Sequence, residues 1–204
     1  MFALVDKSDN SITKLLSGNQ GITIGDNQYP KAIFSLWTEA ERNAINIYTV
    51  EINNSKRKNT EWYVNTNVTY SFNGSKVTGS YGDATARAHA DTLFTAQDES
   101  DGKGTEGDVK DEGLKTKLII SIKSQAEGEL NKTDWYITRK AEKDTAIPSA
   151  VSTHRDAVRS KQAEMETAIT NASDTPALET LYTYTTQEDG STTRPLGELP
   201  TKDI

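Results

Sequence analysis

The sequence predicts an α+β protein: a small antiparallel β module with a hairpin, then an acidic linker, then a helical hairpin. Short apolar runs bounded by Asp, Asn and Gly dominate the first part, and helical apolar spacing dominates the second. The residues between these parts carry most of the excess negative charge. We therefore expect a β-rich module at 1–96, a flexible linker at 97–113, a helical domain at 114–183 and an irregular tail at 184–204.

Composition excludes several classes of site. The chain has 204 residues and no cysteine, so it has no disulfide, no Cys nucleophile and no Cys-based metal centre. A metal site would have to use His89, His154 and carboxylates, which lie on different predicted elements. We expect neither a metal ion nor another cofactor. No apolar run approaches the roughly 18 residues of a membrane span, so no membrane association is expected.

The net charge of −7 argues against binding to nucleic acid, which requires clustered basic residues. One basic cluster stands out, Lys56-Arg57-Lys58, and it is flanked by Asn and Ser. Such flanks are typical of a turn, so we interpret the cluster as a solvated turn between strands.

The first module contains several short strands and one capped helix. Thr38 has the residue type of a helix N-cap, and Glu41 stands three residues later as its reciprocal partner. The predicted strands cover residues 2–5, 11–16, 21–24 and 47–52.

A hairpin is predicted around Asn73-Gly74, the residue pair that type I′ turns prefer because both positions need a positive φ. A two-residue turn pairs Phe72 with Ser75. Residues 61–72 alternate between apolar and polar types, which indicates one continuous strand. Its apolar face would consist of Trp62, Val64, Val68, Tyr70 and Phe72, continued across the turn by Val77 and Tyr81.

Asp83 is a candidate cap for a short helix from Ala84 to about Phe94. The acidic segment 97–113 follows, with seven acidic and two basic side chains, four glycines and one apolar residue, Val109. Such a composition buries little apolar surface, so we predict a mobile linker.

Helical spacing returns at Leu114 and continues to Ala172, interrupted before Pro148, which suits a first helical turn. Asp174 is a candidate N-cap for a last short helix. The first apolar stripe consists of Leu114, Leu118, Ile122, Ala126 and Leu130.

Two motif matches in the acidic segment have unfavourable contexts. Gly102-Lys-Gly104-Thr-Glu-Gly107 has the spacing of a dinucleotide-binding loop, but the acidic residues before it would repel phosphate. A calcium loop would begin at Gln97 and end at Asp108, and both are poor ligands at those positions. No catalytic motif is present, so we predict a protein that is not an enzyme.

Trp135, Tyr136 and Arg139 form the densest aromatic and cationic cluster of the helical block. The favoured interpretation is a helix that docks Trp135 into a core, with Arg139 paired to Asp134 or to a facing acid. The alternative is an interface hot spot, since Trp, Tyr and Arg are the residues that most often anchor protein interfaces.

The element Thr133-Asp134-Trp135, followed by the helix that contains Arg155 and Arg159, resembles the C-terminal region of bacteriophage tail and tail-fibre accessory proteins, including tail assembly chaperones. Those proteins usually carry Tyr where this chain has His154. The run from Tyr29 to Glu41 is similar to the opening of phage proteins of the same kind.

The resemblance implies a non-enzymatic component of the phage tail or tail fibre that acts as an adaptor through protein–protein packing. The alternative is a soluble assembly chaperone that leaves before the virion is complete. Expected partners are other tail or fibre proteins and further copies of the chain. The expected location is the virion tail, and the host cytoplasm during assembly. The predicted interface residues are Trp135, Tyr136, Arg139, Arg155 and Arg159.

Overall fold

A computed structural model describes residues 1–201, and the chain divides into two compact units. The first unit runs from Met1 to Thr85 and the second begins at Ala86. Both contain helices and strands, so the chain is a mixed α and β protein, in agreement with the predicted class.

The first unit consists mainly of strands, and the predicted short strands at its beginning are confirmed. Its last strand, β9, crosses the boundary between the units. The elements, in chain order, are β1 (Phe2–Asp6), β2 (Ser11–Leu16), β3 (Ile22–Ile24), β4 (Asn27–Tyr29), α1 (Ile33–Leu36), α2 (Glu39–Ala44), β5 (Ile47–Asn53), β6 (Tyr63–Val64), β7 (Thr69–Phe72), β8 (Val77–Ser80) and β9 (Thr85–Ala86).

The second unit consists mainly of helices. Its elements are β10 (Thr92–Leu93), α3 (Ala96–Ser100), β11 (Val109–Asp111), α4 (Leu114–Asn131), α5 (Asp134–Lys143), α6 (Ser149–Asn171), α7 (Thr175–Tyr182), β12 (Thr185–Thr186) and β13 (Thr192–Thr193).

The main sheet of the first unit is mixed rather than antiparallel, which corrects the sequence prediction. Its strand order is β2-β1-β5-β8-β7, and β5 runs parallel to β8 while the other neighbours are antiparallel. A parallel neighbour requires a long connection, and residues 54–76 supply it by passing through β7 before β8 begins. The edge strands β2 and β7 also approach each other, so the sheet is strongly curved.

Both faces of this sheet are covered by apolar side chains. In β1, Ala3 and Val5 point into one cluster, while Phe2 and Leu4 pack against another, as the two-residue period of a strand requires. The first cluster contains Ala3, Val5, Tyr48, Val50, Phe72 and Val77. The second cluster is centred on Leu16, Ile33 and Ile47, and α1 closes it.

The predicted hairpin forms, but its register differs. Phe72 pairs with Val77 rather than with Ser75, and only Gly74 of the predicted turn pair has a positive φ, at +93°. The Asn73 carboxamide oxygen accepts from the backbone N–H groups of Ser75, at 3.1 Å, and Lys76, at 2.9 Å. This Asx turn closes a four-residue loop. Because the shift is two residues, the same side chains still face the core.

The predicted continuous strand at 61–72 is broken into β6 and β7. Tyr63 is buried, whereas Val64 is 53% exposed, so the apolar alternation fails at this point. The backbone carbonyl of Asn59 accepts from the N–H groups of Trp62 and Tyr63, and this turn rotates the chain before β6 begins.

The predicted helix from Ala84 to Phe94 is wrong, because this segment caps α4 instead. The carbonyls of Ala88 and His89 accept from the first N–H groups of α4, at 2.9 and 3.0 Å. The Asp91 carboxylate accepts from Gly113 N–H at 2.7 Å. Gly113 is required here, since a Cβ would lie 2.4 Å from the Ala90 carbonyl. These groups satisfy donors that a helix leaves unpaired at its start.

The segment predicted to be a flexible linker contains regular structure and lies within the second unit. Thr95 and Asp98 form a capping box at the start of α3. The Asp98 carboxylate also accepts from the Lys110 ammonium at 3.1 Å. Opposite charges within the segment therefore stabilise contacts that apolar burial alone does not provide.

α4 and α6 pack against each other in antiparallel directions. The Lys115 ammonium, at the start of α4, donates to the Thr170 carbonyl near the end of α6 at 2.8 Å. The buried apolar side chains of this pair are Ile122, Ala126, Val151, Val158, Met165 and Ile169.

Asp174 caps α7 as predicted, by accepting from Ala177 N–H at 2.8 Å. The tail predicted to be irregular contains the ladder of β12 with β13, followed by the buried side chain of Leu196. The Leu196 N–H donates to the Leu181 carbonyl, which ties the tail to α7.

Acidification is expected to weaken the acidic segment through Asp98. The Thr95 N–H, the Lys110 ammonium and the Thr95 hydroxyl lower the pKa of the Asp98 carboxyl from 3.8 to about 2. A carboxyl whose pKa is lower in the folded state than in the unfolded state stabilises the fold at pH values above its unfolded-state pKa. This stabilisation is lost as the pH falls through the folded-state pKa. The contribution of Asp98 is therefore lost between about pH 4 and pH 2.

Hydrogen exchange measures this effect at the Lys103 amide, which donates to the Asp98 carbonyl. We expect its protection to fall in that pH range in the wild type and to lose this pH dependence in Asp98→Asn. Asp111→Asn, in the same segment, should behave like the wild type. Unchanged protection of the wild type at about pH 2 would contradict the assignment.

Candidate interaction surface of the second unit

The junction between α4 and α5 is held by one buried guanidinium. Arg155, from α6, donates through Nη1 to the Leu130 carbonyl at 2.8 Å, to Thr133 Oγ1 at 2.7 Å and to Asp134 Oδ1 at 2.8 Å. Arg155 is 8% exposed and Thr133 is fully buried. The predicted interface role of Arg155 is therefore corrected: its guanidinium stabilises the fold and offers no surface to a partner.

A second buried polar contact lies beside this junction. His154 Nε2 is 3.2 Å from Glu129 Oε1, and both side chains are buried. The other Glu129 oxygen accepts from the Lys132 ammonium. The sequence prediction did not identify Glu129 as a buried residue. Its spacing of seven residues from Ile122 was a signal that it faces the same side of α4.

α5 has no buried residue, although it carries three large apolar or aromatic side chains. Trp135 is 51% exposed and Ile137 is 42% exposed. The prediction that Trp135 occupies a core position is therefore wrong. Arg155 holds the first residue of α5, Asp134, against α6, but no residue of α5 reaches the α4–α6 core.

The predicted cluster of Trp135, Tyr136 and Arg139 does form. The two ring centroids are 3.8 Å apart, and the Arg139 guanidinium carbon lies 4.8 Å from the Trp135 ring and 5.2 Å from the Tyr136 ring. Stacking of this kind orients a guanidinium and limits the motion of the rings.

Arg139 does not pair with Asp134, because that carboxylate binds Arg155. Within residues 1–201, no carboxylate pairs with Arg139, and its Nε atom is buried without a hydrogen-bond partner. The cluster therefore presents an apolar aromatic surface beside a cation whose charge is not neutralised.

Arg159 makes its ion pair outside this cluster. Its side chain is 52% exposed and approaches Asp156 at 3.4 Å. It lines an open groove of about 690 Å³ along α6, together with Leu130, Gln162 and Glu166 among others. Trp135, Tyr136 and Arg139 are thus brought together, Arg155 supports the helix that carries them, and Arg159 lines the groove along α6.

The glycines of the G-x-G-x-x-G match have structural roles. Gly102 and Gly107 have φ values of +71° and +87°, which favour glycine. A Cβ on Gly104 would lie 2.6 Å from the Phe94 ring. The motif lies between α3 and β11. It forms turns there and packs closely against the Phe94 ring.

Within residues 1–201, no three acidic or histidine side chains lie together in a way that could hold a metal ion. None of the helices in this range is both long and apolar enough to cross a membrane. Comparison of the chain with protein-family models, with curated proteins and with solved structures found no match.

Replacing Arg155 by Met is expected to destabilise the second unit by about 3 kcal/mol, because buried oxygens lose a charged donor. Arg159→Met is the matched control and should cost less than about 0.5 kcal/mol, since that ion pair is exposed. Urea unfolding followed by circular dichroism measures both. Equal unfolding midpoints for the two variants would contradict the structural role of Arg155.

Trp135→Ala is expected to cost less than about 1 kcal/mol of stability, because half of the side chain is already in water. Met165→Ala, which removes a side chain that is 1% exposed, should cost about 2–5 kcal/mol. Thermal unfolding of the two variants checks this difference. If Trp135→Ala lost as much stability as Met165→Ala, Trp135 would have to be a core residue after all.

Proposed function

We propose that this chain is a non-enzymatic component of a phage tail or tail fibre and that it acts as an adaptor through protein–protein packing. The observation that carries the adaptor role is α5, a helix without buried residues that exposes Trp135 and Ile137 beside the unpaired Arg139. The phage setting rests on the resemblance of the Thr133-Asp134-Trp135 element and the α6 helix to tail accessory proteins.

The α5 surface has the composition of an interface hot spot. Trp, Tyr and Arg dominate the binding energy of measured interfaces, and they do so where a partner excludes water from them. The rings of Trp135 and Tyr136 are already in contact, with their planes tilted by 32°, so binding would restrict fewer rotatable bonds than it would for separate side chains.

The complementary partner surface has two parts. One is an apolar pocket that covers Trp135 and Ile137. The other is a carboxylate that pairs with Arg139, whose guanidinium is held in place by the two rings. A carboxylate at this position would receive charge-assisted hydrogen bonds. This requirement gives specificity, because a partner without the carboxylate would leave the cation desolvated and unpaired.

We propose a two-part architecture together with this role. The β-rich part contacts one partner, and the helical part contacts another through α5. Several copies assemble in the tail after synthesis in the host cytoplasm. Two compact units, each with its own apolar side chains, are compatible with two separate binding parts. The soluble assembly chaperone remains the alternative, and the same experiment distinguishes it.

The test is complementation of a phage that lacks the chain, with purified virions analysed by quantitative mass spectrometry. We expect the wild-type chain in virions at a fixed ratio to the major tail proteins. Trp135→Ala should reduce incorporation by about tenfold or more, since hot-spot truncations cost about 2 kcal/mol or more. Ile120→Ala is the matched control, because Ile120 is equally exposed but lies on α4.

The outcomes separate the proposals. Loss of Trp135→Ala from virions, with Ile120→Ala retained, supports an adaptor that binds through α5. A wild-type chain abundant in infected cells but absent from virions supports the chaperone. Equal incorporation of both variants contradicts the α5 interface. A chain that is absent from virions and whose loss leaves tail assembly unchanged contradicts both phage roles.

A further inference from the structure

The loop between β5 and β6 concentrates positive charge in an acidic protein. We call residues Asn54–Thr60 the basic loop; it contains Lys56, Arg57 and Lys58, whereas the whole chain has a net charge of −7. The loop encloses an open concavity of about 430 Å³. No acidic side chain lines it; the lining residues are Asn54, Arg57, Lys58, Asn59 and Thr60.

The backbone of the basic loop is held at several points. The Asn65 carboxamide makes two hydrogen bonds with the backbone of Lys58: it accepts from the Lys58 N–H and donates to the Lys58 carbonyl, both at 2.8 Å. The Asn59 carbonyl accepts from the N–H groups of Trp62 and Tyr63, whose side chains are buried. The loop is therefore anchored to the interior of the first unit, while its residues are exposed between β5 and β6, which confirms the predicted solvated turn between strands.

The cations of the basic loop differ in their partners. Lys56 pairs with Asp83 at 2.9 Å, and it does not line the concavity. The Lys58 ammonium lies 4.3 Å from the centroid of the Tyr63 ring, a contact that orients the ammonium without neutralising it. Within residues 1–201, the Arg57 side chain has no ion-pair partner.

Two positive charges that share one concavity attract an anion with two negative charges. Arg57 offers a planar fork of N–H donors that matches two oxygens of a phosphate group, and Lys58 offers a point charge. The carboxamides of Asn54 and Asn59 have further N–H donors at the same surface. Because the backbone is already held in place, little backbone conformational entropy remains to be lost on binding.

We propose that the basic loop binds a single dianionic phosphate group, either free or carried by a small phosphate monoester. The distribution of charge favours a single phosphate group over the phosphate backbone of a nucleic acid. Residues 1–96 carry nine basic and nine acidic side chains, so no extended basic surface is available to follow a nucleic-acid backbone. The site uses residues of the first unit only and none of the α5 residues, and it does not depend on the proposed adaptor role.

Nuclear magnetic resonance titration of the full chain with inorganic phosphate tests this site, with sodium chloride used to hold the ionic strength constant. We expect saturable shifts of the Arg57, Lys58 and Asn59 amide signals. Arg57→Gln should weaken binding by about tenfold, the loss of one charge-assisted bidentate contact. Lys56→Gln is the matched control, since it removes the same charge from the same loop but not from the concavity.

Each outcome decides the proposal. A loss confined to Arg57→Gln supports it, whereas equal losses in both variants would show general charge attraction and overturn it. Absence of saturable shifts in the wild type also overturns it. A parallel titration with a small sugar phosphate identifies the source: equal affinity indicates free phosphate, and tighter binding indicates a monoester. Stronger, salt-dependent binding of single-stranded DNA would overturn the assignment of a single group.

Discussion

The exposed position of α5 depends on one buried cation. Arg155 brings a guanidinium from α6 to three oxygens at the end of α4 and the start of α5. A buried charge is costly unless it is paired and hydrogen-bonded, so these oxygens must converge on one point. The contact joins the end of α4 to the start of α5. Because Asp134 is used in that contact, Arg139 is left to stack on the aromatic rings.

Carboxylates have a comparable structural role throughout the chain. Glu41, Asp91, Asp98 and Asp174 each accept a backbone N–H at or near the start of a helix. Such contacts satisfy donors that a helix leaves unpaired and place negative charge at the positive end of its dipole. Part of the negative charge of this protein therefore serves the fold. The capping by Asp91 and Asp98 also explains how a segment with little apolar surface acquires regular structure.

The two proposed binding features use different chemistry. The α5 surface combines aromatic rings with a cation that seeks a carboxylate, and its energy would come mainly from covering Trp135. The basic loop combines two cations with amide donors around a polar concavity, and its energy would be electrostatic. A chain with both could bind a protein through one unit and a phosphate group through the other.

The parts of the fold that the sequence alone determined are those whose partners lie a few residues away. The capping box of Thr38 and Glu41, the cap by Asp174 and the short strands of the first unit belong to this group. The cluster of Trp135, Tyr136 and Arg139 was also visible, because one helical turn brings these residues together. Local spacing and residue type are sufficient for such contacts.

Tertiary structure decided the rest. The segment before α4 forms caps rather than a helix because Asp91 meets Gly113, 22 residues later. Arg155 is buried because Thr133 lies 22 residues before it. The exposure of Trp135 follows from the path of α5, and the parallel pairing of β5 with β8 follows from a long connection. Contacts between distant residues override local propensity whenever they satisfy buried polar groups, and no short sequence pattern records which distant group will be the partner.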